Sequence, residues 1–189
     1  KVVAAVQKQA SEFMHVMVYG ETVQTPQSTY AKQLIHLLPA SLDCCYFVNS
    51  GAEAIDGAMK LAKRVTHKTD FVALVDAYHG STQGPLSLMS NDYYSQAFRP
   101  LLPSVHFVKQ NDIAALANIP WDRVAGVITE VVQAERGDQW SSCASFIQRG
   151  GRERLGWRWG ARRRVPWPRS QPRSGCSAWS QPGSVCWAW

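Results

Sequence analysis

A serine-glycine turn is the first chemically informative feature of this 189-residue chain. It lies in residues 49–53 (NSGAE), directly after the apolar run 45–48. Ser50 and Glu53 have the spacing of a capping box, which predicts the N-terminus of a helix. The unpaired N–H groups of such a terminus bind phosphate well, and Gly51 lets an anion approach the backbone closely. Two interpretations remain open, a phosphate site or a well-capped helix that binds nothing.

Two later segments carry further candidate residues. Tyr78 and His79 follow the next apolar run, so we expect them at the same sheet edge, where an aromatic ring can stack on a planar ligand. Glu130 and Glu135 lie at or just past the end of the apolar run 124–132, where a carboxylate is costly unless it is paired or functional. The alternatives are an ordinary loop aromatic and a glutamate that ends a strand by chance.

Alternating helices and strands must position these three segments. Helical periodicity predicts helices over residues 1–14 and 30–38, a helix from the serine-glycine turn to about Lys68, and a short helix over 112–117. Continuous apolar runs predict buried strands over residues 45–48, 71–75, 105–108 and 124–132. Strands of this kind, separated by helices, indicate an α/β fold with a mostly parallel sheet.

Charge and composition change after Asp138. Residues 1–138 carry 11 basic and 13 acidic side chains, whereas residues 139–189 carry nine arginines, one acid and seven of the eight tryptophans. Because no helical or strand period survives there, we predict a structureless tail over 139–189. Its residue types are those that G+C-rich codons yield out of frame, so we interpret it as frameshifted sequence. The alternative is a non-enzymatic nucleic-acid-binding module, with arginines on phosphates and tryptophans on bases.

Several classes of protein are excluded by the same composition. No apolar run approaches the roughly 20 residues that span a bilayer, no signal peptide is visible, and the five cysteines lack zinc-ligand spacing. We therefore expect a cytoplasmic protein that binds no metal, no membrane and no nucleic acid. The first residue is Lys1 rather than methionine, so we also expect a piece of a longer chain.

Taken in order, residues 47–54, 76–80 and 128–135 resemble the class III pyridoxal-phosphate-dependent aminotransferases. This group includes ornithine, acetylornithine and omega-amino acid transaminases. The resemblance covers residues 2–138 and implies part of a fold type I large domain, incomplete at both ends. It further implies pyridoxal 5′-phosphate as cofactor, a homodimer, and transfer of an amino group from an amino acid or omega-amine to a 2-oxo acid such as 2-oxoglutarate.

The resemblance assigns cofactor roles to the first two segments and a role near the substrate to the third. The backbone N–H groups of Gly51 and Ala52 would hold the cofactor phosphate, and Tyr78 would stack on the pyridine ring. The complete set of implied cofactor-binding residues is Ser50, Gly51, Ala52, Tyr78 and His79. The residues implied near the cofactor and substrate are Glu130 and Glu135.

Departures from the family pattern limit what this chain can do. Val131 and Ala134 replace the usual proline and glycine of the third segment, and Ser81 replaces the arginine typical of acetylornithine-type members. In the family, the aspartate that binds the pyridine nitrogen and the Schiff-base lysine both come later. No lysine and no aspartate follows Asp138 here, so we expect no catalytic residue in this chain, no activity and low stability.

Overall fold

The computed structural model describes residues 1–17, 22–39, 42–130, 132–133 and 139–140. For residues 132, 139 and 140 it describes the backbone alone. The chain divides into two units, one that contains residues 1–45 and one that begins at Tyr46. All three sequence segments that resemble the aminotransferases begin in the second unit or at its border.

The first unit is helical. Helix α1 spans Val2–Phe13, which confirms the prediction over residues 1–14. Helix α2 spans Thr25–Leu37 and begins five residues before the predicted start at Tyr30. Its first turn contains Pro26, a residue whose missing N–H costs nothing at that position. Neither helix buries a residue.

The second unit has α/β architecture. Its helices are α3 (Gly51–Thr66), α4 (Gln83–Ser87) and α5 (Asp92–Ser95), with 3₁₀ turns at Gln96–Phe98 and Ala115–Asn118. Its strands are β1 (Asp70–Leu74), β2 (Val105–Val108), β3 (Val124–Ile128), β4 (Val132–Gln133) and β5 (Gln139–Trp140). Among the described residues, no helix is long and apolar enough to cross a membrane.

Strand β1 is the centre of a parallel sheet with the order β2-β1-β3. All of its residues are buried. Val72 and Leu74 pack against Trp121 on one face, whereas Phe71 and Ala73 pack on the other face with apolar side chains of α3. A strand covered on both faces favours apolar residues on both faces, which explains the continuous apolar run that follows Asp70 in the sequence.

The predicted strand over residues 45–48 is wrong. These residues are assigned to no strand, and β1 already pairs on both edges with β2 and β3. Tyr46 and Phe47 remain 46% and 38% exposed. The Tyr46 ring lies against α3, with Cε1 3.3 Å from the Cβ position of Gly57. An apolar run indicates burial but does not by itself supply a strand edge.

The predicted strand over residues 124–132 is too long. Strand β3 ends at Ile128, and β4 begins at Val132 as a separate strand that pairs antiparallel with β5. Strand β5 occupies the first two residues of the predicted structureless tail, so that prediction is wrong for Gln139–Trp140. The remainder of the tail, residues 141–189, lies outside the described residues.

The predicted helix over residues 112–117 is a 3₁₀ turn instead, at Ala115–Asn118. Oδ1 of Asp112 accepts a hydrogen bond from the N–H of Ala115 at 3.0 Å, so the aspartate caps the turn from outside it. Short polar side chains compete in this way with regular helical bonding. Helices α4 and α5 were not predicted, since neither is long enough to show a period.

Candidate functional site

The N-terminus of α3 is capped as the sequence predicts. The Ser50 hydroxyl accepts a hydrogen bond from the N–H of Glu53 at 3.2 Å. The Glu53 carboxylate reaches back and accepts from the backbone N–H of Asn49 at 2.7 Å, and from its side-chain amide at 3.2 Å. Glu53 therefore bonds one residue earlier than in the standard capping box, and the two bonds hold the turn closed before the helix begins.

Two backbone donors remain at this terminus. The N–H groups of Glu53 and Ala54 both bond to Ser50, the first to its hydroxyl and the second to its carbonyl at 3.1 Å. Among the described residues, the N–H groups of Gly51 and Ala52 have no hydrogen-bond partner. Both residues are partly exposed. Adjacent N–H groups at the positive end of a 16-residue helix suit a phosphate.

The second segment packs directly on this terminus. Gly80 has a φ of +124°, and a Cβ placed on it would lie 2.7 Å from the Cβ of Ala52. Only glycine permits both the backbone conformation and the approach. Tyr78, two residues earlier, is 42% exposed, and its ring meets the edge of Tyr94 with centroids 5.9 Å apart. The structure thus brings the first two predicted segments together.

The third segment joins the second through a carboxylate. Oε2 of Glu130 accepts a hydrogen bond from the backbone N–H of Tyr78 at 3.0 Å. This contact spans 52 residues of sequence. Glu130 therefore supports the loop that carries the aromatic ring, immediately after β3 ends. Glu135, the other predicted glutamate, lies outside the described residues.

Two buried polar atoms near the end of β1 have no hydrogen-bond partner among the described residues. One is Nε2 of His79, a residue that is only 7% exposed. Burial lowers the pKa of His79 to about 4, so the ring is neutral near pH 7. The other is Oε1 of Gln133, whose amide nitrogen donates to the carbonyl of Val75 at 3.3 Å. Buried polar atoms without a partner are rare in protein cores, and a role in binding is one physical reason for their presence.

Gln133 was not among the predicted site residues. It is 0% exposed and lies in the third segment, between two predicted glutamates. A glutamine within an apolar run is a signal that sequence reasoning could have used. Within the described ranges, no group of three or more metal-ligating side chains is placed to hold a metal ion.

A cavity of about 360 Å³ opens beside the Tyr78 loop. Four of its nine lining residues are aromatic, and none of the nine belongs to α3. The lining residues are Tyr78, Gly80, Ser81, Gln83, Leu86, Met89, Tyr93, Tyr94 and Phe98.

Comparison with known proteins decides the family. The sequence model described as "Aminotransferase class-III" matches residues 1–149. The chain belongs to the class-III aminotransferases. The match extends past Asp138, where the composition changes. Membership implies pyridoxal 5′-phosphate as the cofactor.

Curated relatives agree on the family and show that the chain corresponds to part of it. The acetylornithine aminotransferase of Halalkalibacterium halodurans is 38% identical over 138 residues, which are 72% of this chain and 35% of that protein. A putative LysW-aminoadipate semialdehyde/glutamate semialdehyde transaminase of Pyrobaculum aerophilum is 35% identical over 137 residues, again 72% of this chain and 35% of the relative. This class-III chain spans about a third of the length of such relatives.

Solved structures show the same fold. The adenosylmethionine-8-amino-7-oxononanoate aminotransferase of Methanocaldococcus jannaschii matches 82% of this chain and 39% of its own, with a TM-score of 0.73 and 20% identity. A PLP-bound amine transaminase from an uncultivated Pseudomonas species matches 70% of this chain and 36% of its own, with a TM-score of 0.61 and 20% identity. These likenesses confirm the predicted partial large-domain fold.

The described residues fit part of the cofactor that the family implies. Gly51 and Ala52 supply two adjacent N–H donors for a phosphate, and Tyr78 supplies an exposed ring on the segment packed against them. His79 supplies a buried nitrogen without a partner in the described part of the chain. No lysine and no aspartate follows Asp138 in this chain, so the fit covers the phosphate and ring rather than the reacting groups.

Proposed function

We propose that this chain carries the phosphate- and ring-binding part of a transaminase's pyridoxal 5′-phosphate site, formed by Ser50, Gly51, Ala52, Tyr78 and His79. The observation that supports it is the junction of the three segments, through Gly80 on Ala52 and through Glu130 on the N–H of Tyr78. When bound, the cofactor supplies an electron sink for the bonds around the substrate nitrogen.

Each residue in the proposed site has a defined task. The N–H groups of Gly51 and Ala52 bind the phosphate, with the Ser50 hydroxyl beside them as a further donor. The Tyr78 ring covers one face of the pyridine and excludes water from it. Neutral His79 offers a nitrogen that can donate or accept without bringing charge to the site.

The proposed reaction of the intact protein is transfer of an amino group from an amino acid or omega-amine to a 2-oxo acid, with 2-oxoglutarate as acceptor. The named relatives divide between acetylornithine and LysW-aminoadipate semialdehyde transaminases, so they do not single out a donor. Ser81, in place of the arginine typical of acetylornithine-type members, argues against acetylornithine. We infer that Glu130 and Glu135 lie near the substrate, and that the intact protein is a cytoplasmic homodimer.

Binding of pyridoxine 5′-phosphate to the full chain tests the proposed site. This compound lacks the aldehyde, so it forms no Schiff base with surface lysines. Equilibrium dialysis should show binding that pyridoxine, which lacks the phosphate, does not compete away. Tyr78→Leu should weaken binding about fivefold, because stacking contributes about 1 kcal/mol. Absence of binding to the unaltered chain, or equal competition by pyridoxine, would refute the site.

A neighbouring tyrosine provides the matched control. Tyr93 is 88% exposed and lines the same cavity as Tyr78, but it lies on α5, outside the proposed site. Tyr93→Leu should therefore leave the affinity for pyridoxine 5′-phosphate unchanged. Equal weakening by the two substitutions would show that the ligand occupies the aromatic cavity instead.

We also propose that the chain, by itself, does not transaminate. Its last lysine is Lys109, before the third segment, and its last aspartate is Asp138. A mixture of the chain, pyridoxal 5′-phosphate, 2-oxoglutarate and a panel of amino donors should yield no glutamate above a protein-free mixture. Glutamate formation that scales with chain concentration would refute this proposal.

The frameshift interpretation of the tail stands as a proposal with a revised starting point. The family match reaches residue 149, which is 11 residues beyond Asp138. The coding DNA, translated in the other two frames beyond codon 149, should recover an apolar strand that ends in aspartate and a later lysine. Failure of both frames would overturn the proposal.

A further inference from the structure

Residues 80–84, which lead into α4 and include its first two residues, lie along one face of α3. That face is formed by Ala52, Asp56 and Met59, which are spaced one helical turn apart. A Cβ on Gly80 would lie 2.7 Å from the Cβ of Ala52. A Cβ on Gly84 would overlap Oδ1 of Asp56 and lie 3.5 Å from Sδ of Met59. Glycine at both positions lets the segment lie flat on the helix.

A hydrogen bond crosses the same face. Oγ1 of Thr82 donates to Oδ2 of Asp56 at 2.6 Å. Thr82 is the N-cap residue of α4, yet its side chain makes no capping bond to that helix. Its hydroxyl is used to join the segment to α3. Close packing of backbone on a helix has no preferred direction, whereas a short hydrogen bond to a carboxylate does, so the hydrogen bond favours one position of the segment along the helix axis.

We propose that Asp56 is a positioning residue for the cofactor. Through Thr82, and together with the bond from Glu130 to the N–H of Tyr78, it sets the distance between the Tyr78 ring and the N–H groups of Gly51 and Ala52. Asp56 itself is proposed to make no contact with the cofactor. The inference rests on the proposed function, since it concerns the same cofactor. It adds a residue to which neither the sequence nor the comparisons assign a role.

The physical reason lies in the ligand. Phosphate and pyridine ring are parts of one small molecule, so the distance between the α3 terminus and the Tyr78 ring must match the distance between them. Inorganic phosphate needs the terminus alone. Loosening the Asp56–Thr82 contact should therefore weaken the binding of pyridoxine 5′-phosphate while sparing inorganic phosphate, a pattern that general destabilisation of α3 does not produce.

Thr82→Val tests the contact because valine keeps the shape and removes the hydroxyl. In the full chain it should weaken pyridoxine 5′-phosphate binding about fivefold and change inorganic phosphate affinity less than about twofold. Thr82→Ser, which restores a hydroxyl, should recover the affinity to within about twofold. Thr66→Val is the matched control, since Thr66 donates to Ala62 at 2.7 Å at the far end of the same helix. It should alter neither affinity.

Two further measurements separate this inference from the proposed function. Combined with Thr82→Val, Asp56→Ala should add no further loss of affinity, because the valine has already removed the donor of the Thr82–Asp56 hydrogen bond. In the ligand-free chain, Thr82→Val should speed amide exchange in residues 77–82 and leave the first turn of α3 unchanged. Unchanged exchange in residues 77–82 would overturn the positioning role whatever the binding result. Absent binding to the unaltered chain would overturn the proposed function, and with it the cofactor role of Asp56, whereas the exchange result would still show whether Asp56 and Thr82 order residues 77–82.

Discussion

The two ends of strand β1 treat buried polar groups in opposite ways. At the amino end, Asp70 is 1% exposed and both of its carboxylate oxygens are bonded. At the carboxyl end, His79 and Gln133 are buried, and each leaves one polar atom without a partner among the described residues. These buried polar atoms are therefore paired at the amino end of β1 and partly unpaired at its carboxyl end, and the candidate site lies at the carboxyl end.

At the amino end of β1, the Asp70 carboxylate connects three segments of the chain. Oδ1 of Asp70 accepts from Thr69 at 2.7 Å and from Arg123, just before β3, at 3.3 Å. Oδ2 accepts from Nε2 of His106 on β2 at 3.0 Å. Burial alone would raise the pKa of Asp70, but the hydrogen bonds from His106 and Thr69 and the charge of Arg123 together lower it. The carboxylate thus links all three strands of the sheet at their amino ends.

The unpaired polar atoms at the carboxyl end of β1 lower the free energy of unfolding, and a ligand that bonds to them can restore it. A buried polar atom without a partner forgoes about 1–3 kcal/mol, which a bound ligand or water returns when it supplies the partner. Parallel sheets place their ligand sites at the carboxyl ends of the strands. The contrast between Asp70 and His79 therefore separates the end of β1 that holds the sheet together from the end where we propose that the cofactor binds.

The largest expected effect concerns acid and the carboxyl end. The pKa of His79 falls from 6.5 to about 4 on folding, so between these values the unfolded chain binds the proton and the folded chain does not. The free energy of unfolding should therefore be constant above pH 6.5 and fall by about 3–4 kcal/mol as the pH drops to 4. Urea unfolding of the chain at a series of pH values measures it.

Two histidine variants separate this effect from general acid sensitivity. His79→Gln should flatten the stability profile between pH 6.5 and 4, whereas His67→Asn, at an exposed position in the left-handed C-cap of α3, should retain the slope. The pKa of Asp70 is lowered below 3.8, so its contribution is present above that value and is lost only in stronger acid. If the free energy of unfolding of His79→Gln falls as steeply between pH 6.5 and 4 as that of the unaltered chain, burial of His79 is not the cause of the acid sensitivity.

The next effect concerns the amino end. Asp70→Ala should lower the free energy of unfolding by about 3 kcal/mol, because it removes three hydrogen bonds to a buried charge. The value stays at the low end for buried pairs, since the side chains of His106 and Arg123 are 30% and 59% exposed and can regain water. Guanidinium unfolding near pH 7 is the measurement.

An exposed ion pair in the same unit serves as the control. Asp92 and Arg99 lie 2.5 Å apart, but their side chains are 68% and 60% exposed. Asp92→Ala should therefore cost less than about 1 kcal/mol. If the two aspartate variants lose equal stability, burial of Asp70 is not what makes the amino end stable.

Sequence reasoning found the parts of the site that depend on neighbouring residues. Ser50 and Glu53 are three residues apart, so their capping bonds follow from local spacing, and the structure confirms them. The bond between Glu130 and the N–H of Tyr78 spans 52 residues and depends on how β3 lies beside β1. No local pattern specifies such a contact, so the sequence placed Glu130 at a sheet edge without its partner.

The errors in the fold have a related cause. Residues 45–48 and 124–132 were predicted as strands because apolar runs indicate burial, but strand pairing needs a neighbour at the right edge. Thr129 and Glu130 lie beyond the end of β3 and belong to no strand. In this position the Glu130 carboxylate accepts the hydrogen bond from the N–H of Tyr78. Asp70 was missed for the opposite reason: an acid at the start of a strand is usually exposed, and its partners come from three separate segments.

The smallest of the three effects concerns Gly80, where the two parts of the candidate site touch. Gly80→Ala should lower the free energy of unfolding by about 2 kcal/mol, because its φ of +124° strains any other residue and the new Cβ would lie 2.7 Å from that of Ala52. Gly126→Ala, on β3, is the control: its nearest contacts would be ordinary ones at 3.6 and 3.7 Å, so the stability should change by less than about 1 kcal/mol. Pyridoxine 5′-phosphate binding should be lost in Gly80→Ala even where the chain remains folded, since the loop must move off α3. A folded Gly80→Ala variant with unaltered affinity would show that the Ala52 contact stabilises the fold and does not contribute to binding. The Gly80 contact at the carboxyl end of β1 would then have the same role as the Asp70 contacts at the amino end, which hold the sheet together.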